Sequence, residues 1–308
     1  MKKTMVWLAL IWLAVIALAS PAAFADDLPI IDAHSQIDQF VDQSTMVSLL
    51  DKAGVSRVIL TARGRVSAEQ IASLARNNPD RIVASVRTKG IPYVNDMPGY
   101  YKLLNKQLAM PEFRAMAELI LWHGAKGNKV PKWVMKADSP PVQAALQAAY
   151  EKGWPAVLHY EFRAAGKESK DLMDELEGLL RARPAHPFVL THMGQLNASE
   201  VRRLIASFAN IYFIPAWSNS ITKTLSRQPW VNLFNGKQLA DDWKALIIGY
   251  PDRFILGFDN VFKEHWGDLY VRQVRLWRKA LAELPDGVAH AVAHGNAERL
   301  WKLKASHF

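Results

Sequence analysis

The sequence predicts a (β/α)8 TIM barrel, and three observations predict it. Eight short apolar runs, many of them rich in Val and Ile, recur along the 308 residues. Helix-length segments separate them, the pattern of a parallel sheet with covering helices. Eight is also the number of strands that closes a barrel at this chain length. Finally, four of the runs close on His or Asp: Ile30-Ile31-Asp32-Ala33-His34, Ala156-Val157-Leu158-His159, Phe188-Val189-Leu190-Thr191-His192 and Phe254-Ile255-Leu256-Gly257-Phe258-Asp259. Strand ends on one face of a barrel meet at one site. The competing architecture, an open doubly wound sheet, would carry a glycine-rich phosphate turn after its first strand. None follows His34.

Taken in order, the predicted strands are Leu28 to His34, Val55 to Ala62, Arg81 to Val86, Ala115 to Trp122, Trp154 to Tyr160, Pro187 to Thr191, Ile211 to Ala216 and Arg253 to Phe258. The helices between them carry their own punctuation. Ser44 serves as an N-cap and Gly54 as a stop around one helix. Ser67-Ala68-Glu69-Gln70 and Asn197-Ala198-Ser199-Glu200 have the capping-box pattern. Ser139-Pro140-Pro141 opens a helix that ends at Gly153, with proline in its first turn. Leu172, Leu176, Leu179 and Leu180 form one apolar stripe on a helix from Ser169 to Arg183. Further helices are expected near Tyr100 to Ala109, Leu239 to Ile247, Tyr270 to Leu284 and Asn296 to Leu303. With no internal repeat or low-complexity linker, residues 26–308 read as one domain.

The leader is a separate matter. Lys2 and Lys3, the apolar run Met5 to Ala19 and Ala23-Phe24-Ala25 have the order of a secretory signal peptide cleaved after Ala25. An uncleaved membrane anchor is the alternative, but the run is short for a span. Cleavage leaves no stable membrane insertion. The chain has no cysteine, which suits an oxidising bacterial periplasm or secretion. It also restricts any metal to nitrogen and oxygen ligands. The formal charge of +9 favours anionic partners. The basic residues are not gathered into one run and no nucleic-acid motif is present, so most of them read as an ordinary solvated surface and no nucleic-acid partner is expected.

Three ligands from separate strands plus a water make an open catalytic metal site. Side chains two apart on a strand face the same way, so His34 and Gln36 point together. Each such His taken alone has a plain structural reading, as a hydrogen-bonded strand end. Their recurrence is what argues for a shared site.

Asp32-Ala33-His34-x-Gln36, His159, Thr191-His192-Met193-Gly194, Gly257-Phe258-Asp259 and the tail Gly295-Asn296-Ala297-Glu298-Arg299-Leu300-Trp301 resemble the amidohydrolase superfamily. The nearest branch is the amidohydrolase-related one, which holds metal-dependent lactonases and decarboxylases. The resemblance spans residues 26–308. It implies one divalent metal ion, zinc or manganese, at His34, the position of Gln36, His159 and Asp259. It also implies that Asp259 activates water and that His192 polarises the substrate or shuttles a proton. The first-strand motif of the family is His-x-His, and Gln36 departs from it. Three outcomes are open: Gln36 is a poor ligand, Asp38 or a water completes the set, or the metal is lost and the pocket kept. Glu118 is read as a core-edge ion-pair residue, with a metal-bridging role as the alternative. His123, His186, His265, His290, His294 and His307 fall outside the set.

Arg63, Arg65, Arg87, Lys89 and Arg163 follow strand ends and suit a carboxylate or another planar anion; a solvated basic rim is the other reading. Trp217 ends the seventh strand, where the family places substrate contacts. The connection from Ser220 to Pro251 is long enough for a lid. Its Trp230 and Phe234 either cover a substrate or pack the loop down. The sequence thus predicts an exported hydrolase of a lactone, ester or amide. The alternatives are a metal-free binding protein of the same fold and a decarboxylase.

Overall fold

The computed structural model describes residues 27–126 and 131–306. The predicted signal peptide, residues 1–25, and His307 lie outside the described residues. Among these, no helix is long and apolar enough to cross a membrane.

Nine strands carry the barrel and one short flank: β1 (Ile31–Ile37), β2 (Arg57–Ala62), β3 (Ile82–Val86), β4 (Phe113–Met116), β5 (Leu119–His123), β6 (Trp133–Val134), β7 (Ala156–Tyr160), β8 (Phe188–Thr191) and β9 (Ile211–Ile214). They form two sheets, ordered β1-β2-β3-β4 and β6-β5-β7-β8-β9. All pairings are parallel except that of β6, which flanks β5 antiparallel. β4 and β5 are two halves of one predicted strand, interrupted at Ala117 and Glu118. Ala117 N still donates to Val86 O at 2.9 Å, so the wall continues across the break.

The eighth predicted strand does not form a regular ladder. Residues 254–260 are tied to both neighbours by single bonds instead. Ile255 N donates to Phe213 O (3.0 Å), Ala33 N to Leu256 O (2.9 Å), Asp259 N to His34 O (2.7 Å) and Gln36 N to Asn260 O (2.7 Å). These bonds close the barrel. Gly257 permits the approach, because a Cβ there would stand 2.8 Å from Ile214 Cγ2 and 3.2 Å from His34 N.

The buried carboxylate of Asp32 fastens the same seam. It accepts from Phe258 N (3.0 Å), His34 N (3.2 Å), Ser35 Oγ (2.6 Å) and Tyr270 Oη (2.9 Å). Burial pushes its pKa up to about 6 despite these donors. β1 also carries a bulge: Asp32 pairs with Val58, but Ser35 with Leu60. The extra residue re-aims the strand. Ile31 and Ala33 join the inner cluster of Ile59, Val83, Val157 and Val189, while His34 and Gln36 face the site. Ala297, Leu300 and Trp301, from the last helix (Asn296–Trp301), pack against that cluster.

The helices form as their punctuation predicts, with one difference. Both capping boxes are closed, at Ser67 with Gln70 and at Asn197 with Glu200. Gly153 stops the helix Pro140–Lys152 in the left-handed region (φ 64°). Ser44, however, caps nothing. Asp42 accepts from both Ser44 N (2.9 Å) and Ser44 Oγ (2.7 Å), holding a 3-10 turn, and the helix begins at Met46.

Two substitutions test the seam by denaturant melts. Gly257→Ala should cost about 1–3 kcal/mol through overpacking against Ile214. Tyr270→Phe should cost about 1 kcal/mol through one lost donor to Asp32. A Gly257→Ala protein as stable as wild type would show that the last strand is free to move away.

Candidate active site

A cavity of about 1670 Å³ opens at the C-terminal ends of the strands, and Gln36, Glu118, His159, His192 and Asp259 line it. The buried His34 stands directly behind them. The predicted ligand positions are thus brought together, and Glu118 stands at their centre. The break between β4 and β5 puts it there. Thr88 Oγ1 steadies that break by donating to Glu118 O at 2.8 Å.

His34 Nε2 lies 3.5 Å from Glu118 Oε2 and 3.4 Å from Asp259 Oδ1, and it has no hydrogen-bond partner although it is buried. These spacings have the size of the edges of a tetrahedral metal site, about 3.4 Å for bonds of about 2.1 Å. His34, Glu118 and Asp259 therefore fit a divalent ion. His159 Nδ1 sits 2.9 Å from the same Glu118 oxygen, and its Nε2 sits 3.0 Å from Glu161 Oε1. Burial alone would depress His159, but the two glutamates outweigh it and its pKa is raised. Burial likewise opposes the charge of Glu118, yet Lys89 and His159 hold it well below the usual carboxylate range.

Gln36 presents nitrogen to this cluster. Its Nε2 donates to Asp259 Oδ1 at 2.7 Å and stands 3.5 Å from Glu118 Oε1, while its Oε1 has no partner. Asp38, the other residue considered for completing the set, faces Arg63 at 3.6 Å.

His192 has a defined proton arrangement. Its Nδ1 donates to Ala216 O at 3.1 Å, which leaves the lone pair of the neutral ring on Nε2, 3.6 Å from Asp259 Oδ2. Burial, reinforced by His159, pushes its pKa down to about 4, so the neutral ring is the resting form. His192, Met193, Gln195, Trp217 and Asp259 all adopt positive φ, between 47° and 62°. Such conformations cost a non-glycine residue free energy and gather at functional sites. Here they turn the chain sharply at three strand ends.

The rim is basic. Seven Lys and Arg residues line the cavity against four carboxylates among the described residues, an excess that favours an anion. Arg63 stacks on Phe262 at 4.7 Å. Arg87 is held by the carbonyls of Gly64 and Lys89, 3.1 Å each, and pairs with no carboxylate among the described residues. Burial, and then Arg63, lower its pKa. Arg163 is not brought to the cavity: it is half exposed and 3.7 Å from Glu200. Trp217 lines the cavity and donates Nε1–H to Asp259 O at 3.2 Å.

The long connection splits the roles of its aromatics. Trp230 lies against the His192 ring with centroids 4.8 Å apart. Phe234, in the small hairpin of β10 (Phe234–Asn235) and β11 (Gln238–Leu239), instead packs edge-on against Trp277. The sequence reasoning gave Glu118 a marginal place and did not single out Glu161 or Lys126. Glu161 was findable, because it follows His159 by two residues and so shares its face of the strand. Lys126 lies 3.2 Å from Glu161 Oε1 and caps the Trp230 ring at 4.9 Å, a contact made by the tertiary fold alone.

Truncating Glu118 strands Lys89 and His159 in a buried site. Glu118→Ala should cost about 3–5 kcal/mol, read as a lowered melting temperature of the metal-free protein. An unchanged melting temperature would remove Glu118 from the centre of the site.

No curated protein matches the chain in sequence. Solved structures match it in fold. A 2,6-dihydroxybenzoate decarboxylase from Rhizobium superposes with TM-score 0.58 at 14% identity, covering 90% of this chain and 100% of that one. A protein titled "probable 2-pyrone-4,6-dicarboxylic acid hydrolase", from Acinetobacter baumannii with citric acid bound, gives TM-score 0.54 at 11% identity, covering 89% and 100%. An amidohydrolase from Burkholderia multivorans with bound zinc gives 0.53 at 12% identity, covering 90% and 100%. The sequence pattern of the amidohydrolase family (Amidohydro_2) matches residues 16–303, almost the whole barrel with its metal-fitting strand ends, and the chain belongs to that family.

Proposed function

We propose that the protein is a metal-dependent hydrolase of a small anionic carbonyl compound, a lactone, ester or amide. The observation that carries this is the orphaned, buried His34 Nε2 facing Glu118 and Asp259 at 3.4–3.5 Å, beneath a cation-rich cavity. The ion would be held by His34, Glu118 and Asp259, with His159 beside them; zinc or manganese suits such nitrogen and oxygen donors. Bound there, a divalent ion polarises a carbonyl oxygen and brings the pKa of a water to about 7.

The protein's own groups do the rest. Asp259 takes a proton from the attacking water. The Nε2 lone pair of His192, 3.6 Å from Asp259 Oδ2, receives that proton and delivers it to the leaving group. The hydrogen bond to Ala216 O keeps the other ring nitrogen protonated, so this face stays free to accept. Trp230 covers His192 and limits water on that side. Arg63 and Arg87 orient an anionic group of the substrate at the rim, and Trp217 forms the adjoining wall. Citric acid in the Acinetobacter structure and 2,6-dihydroxybenzoate in a 2,6-dihydroxybenzoate decarboxylase complex are likewise small carboxylates. The decarboxylase neighbour makes C–C cleavage the variant reaction to assay alongside hydrolysis. Export through the N-terminal leader to the periplasm belongs to the same proposal.

One observation favours a second reading, a barrel that binds a ligand without its metal: Gln36 offers its amide nitrogen, and not its carbonyl oxygen, to the carboxylates.

Untagged protein should contain about one zinc or manganese per chain by plasma mass spectrometry, and a chelator should remove both metal and activity on lactone and aromatic-carboxylate panels. Asp259→Asn should lower turnover by about 10²–10⁴-fold with the fold retained. An unchanged rate in that variant would sink the mechanism, and a metal-free, fully active wild type would sink the metal.

A further inference from the structure

The carboxylates of this centre already have partners from within the chain. Lys89, from the segment after β3, forms an ion pair with Glu118 Oε1; the Glu118 side chain is buried and that of Lys89 is 12% exposed at the cavity wall. Gln36 Nε2 reaches Asp259 Oδ1 at 2.7 Å and, at 3.5 Å, that same Glu118 oxygen. Only one orientation of the Gln36 amide is tolerable here. Turned over, its carbonyl oxygen would sit 2.7 Å from a carboxylate oxygen with no proton between them, an arrangement that only a cation could hold. One ammonium on Glu118, and one amide N–H2 spanning Glu118 and Asp259, therefore occupy the two carboxylates that would bind an ion.

We propose that Lys89 is the resident counter-charge of this centre and Gln36 its hydrogen-bonding brace: together they hold Glu118 and Asp259 in place without a metal, and Lys89 sets the centre's metal affinity by competing for Glu118. This rests on the metal-dependent reading only for the identity of the site. It adds why a chain with glutamine in place of the second histidine keeps the geometry intact. Glu118 is buried and shared by Lys89, His159, His34 and Gln36. Without a positive neighbour its charge would be too costly to retain. A divalent ion entering beside it meets a fixed ammonium at close range, where the repulsion is screened little. Lys89 and Gln36 are positioning residues in this account. Neither is asked to touch the reacting atoms.

The test compares zinc binding and melting temperature in demetallated wild type, Lys89→Met and Lys89→Arg. Lys89→Met keeps the length of the side chain and removes its charge. It should bind zinc at least about tenfold more tightly than wild type, the equivalent of about 1.4 kcal/mol. Its metal-free form should melt lower than wild type, and zinc should restore it; Lys89→Arg should behave as wild type. Equal or weaker zinc binding by folded Lys89→Met overturns the proposal. Should that variant fail to fold, amine labelling of wild type decides. Reductive methylation of Lys89, read by peptide mass spectrometry, should rise at saturating zinc, and unchanged labelling overturns the proposal. The two readings fail separately. Wild type and Lys89→Met that bind zinc equally defeat this inference and leave the metal-dependent enzyme standing. A wild type that stays empty while Lys89→Met fills supports the inference and defeats the enzyme.

Discussion

The carboxylate of Asp32 is the interaction on which the rest depends. A barrel needs its last strand bonded to its first, and here the last strand has no regular ladder to offer. Asp32 fastens the few backbone bonds that close the barrel by accepting from β1 itself, from Phe258 on the last segment and from Tyr270 on the helix Asp268–Leu281. Ser35, bonded to the same carboxylate, accepts from Asn260 N at 3.1 Å and carries the closure one step further. His34 and Asp259 stand on the two sides of this seam and are bonded to each other through the backbone at 2.7 Å. The register of the candidate metal ligands is therefore fixed by a residue that does not face the site.

Around that seam the site is assembled from exceptions to regular structure. The bulge in β1 turns two side chains inward, the break between β4 and β5 frees Glu118, and three strand ends turn through the left-handed region. Each exception costs stability locally. Each is also held by hydrogen bonds to neighbouring strands, so the barrel wall supplies the rigidity that the site lacks. The Ala, Val and Ile layer below fills the barrel beneath the polar groups of the site.

The electrostatics follow one logic throughout. Buried carboxylates persist only beside positive or proton-donating partners. Glu118 has Lys89, His159 and Gln36; Glu161 has His159, Lys126 and the Gly124 N–H at 3.0 Å. Burial opposes ionisation of Glu161 too, yet its hydrogen bond from His159 and its other positive neighbours hold it well below the usual range. Burial pushes the pKa of His123 down to about 3, which leaves that ring neutral. The same cavity thus holds a negative floor at the strand ends and a positive rim, an arrangement that places an anionic substrate above a cation-binding base.

Much of this was legible in the chain. Short apolar runs, helix caps and the His and Asp strand ends depend on neighbours in sequence, so seven of the eight strands, both capping boxes and the meeting of His34, Gln36, His159, His192 and Asp259 could be read directly, while the run ending at Asp259 forms no regular strand. What the tertiary structure decided is the content of the contacts between distant segments. Glu118 became central, Arg163 turned to a surface glutamate, and Trp230 and Phe234 parted company. The direction of the Gln36 amide was likewise set by carboxylates 82 and 223 residues away. Sequence patterns report which face a side chain takes on its own element. The charge that meets it there is contributed by other elements, and folding alone brings those together.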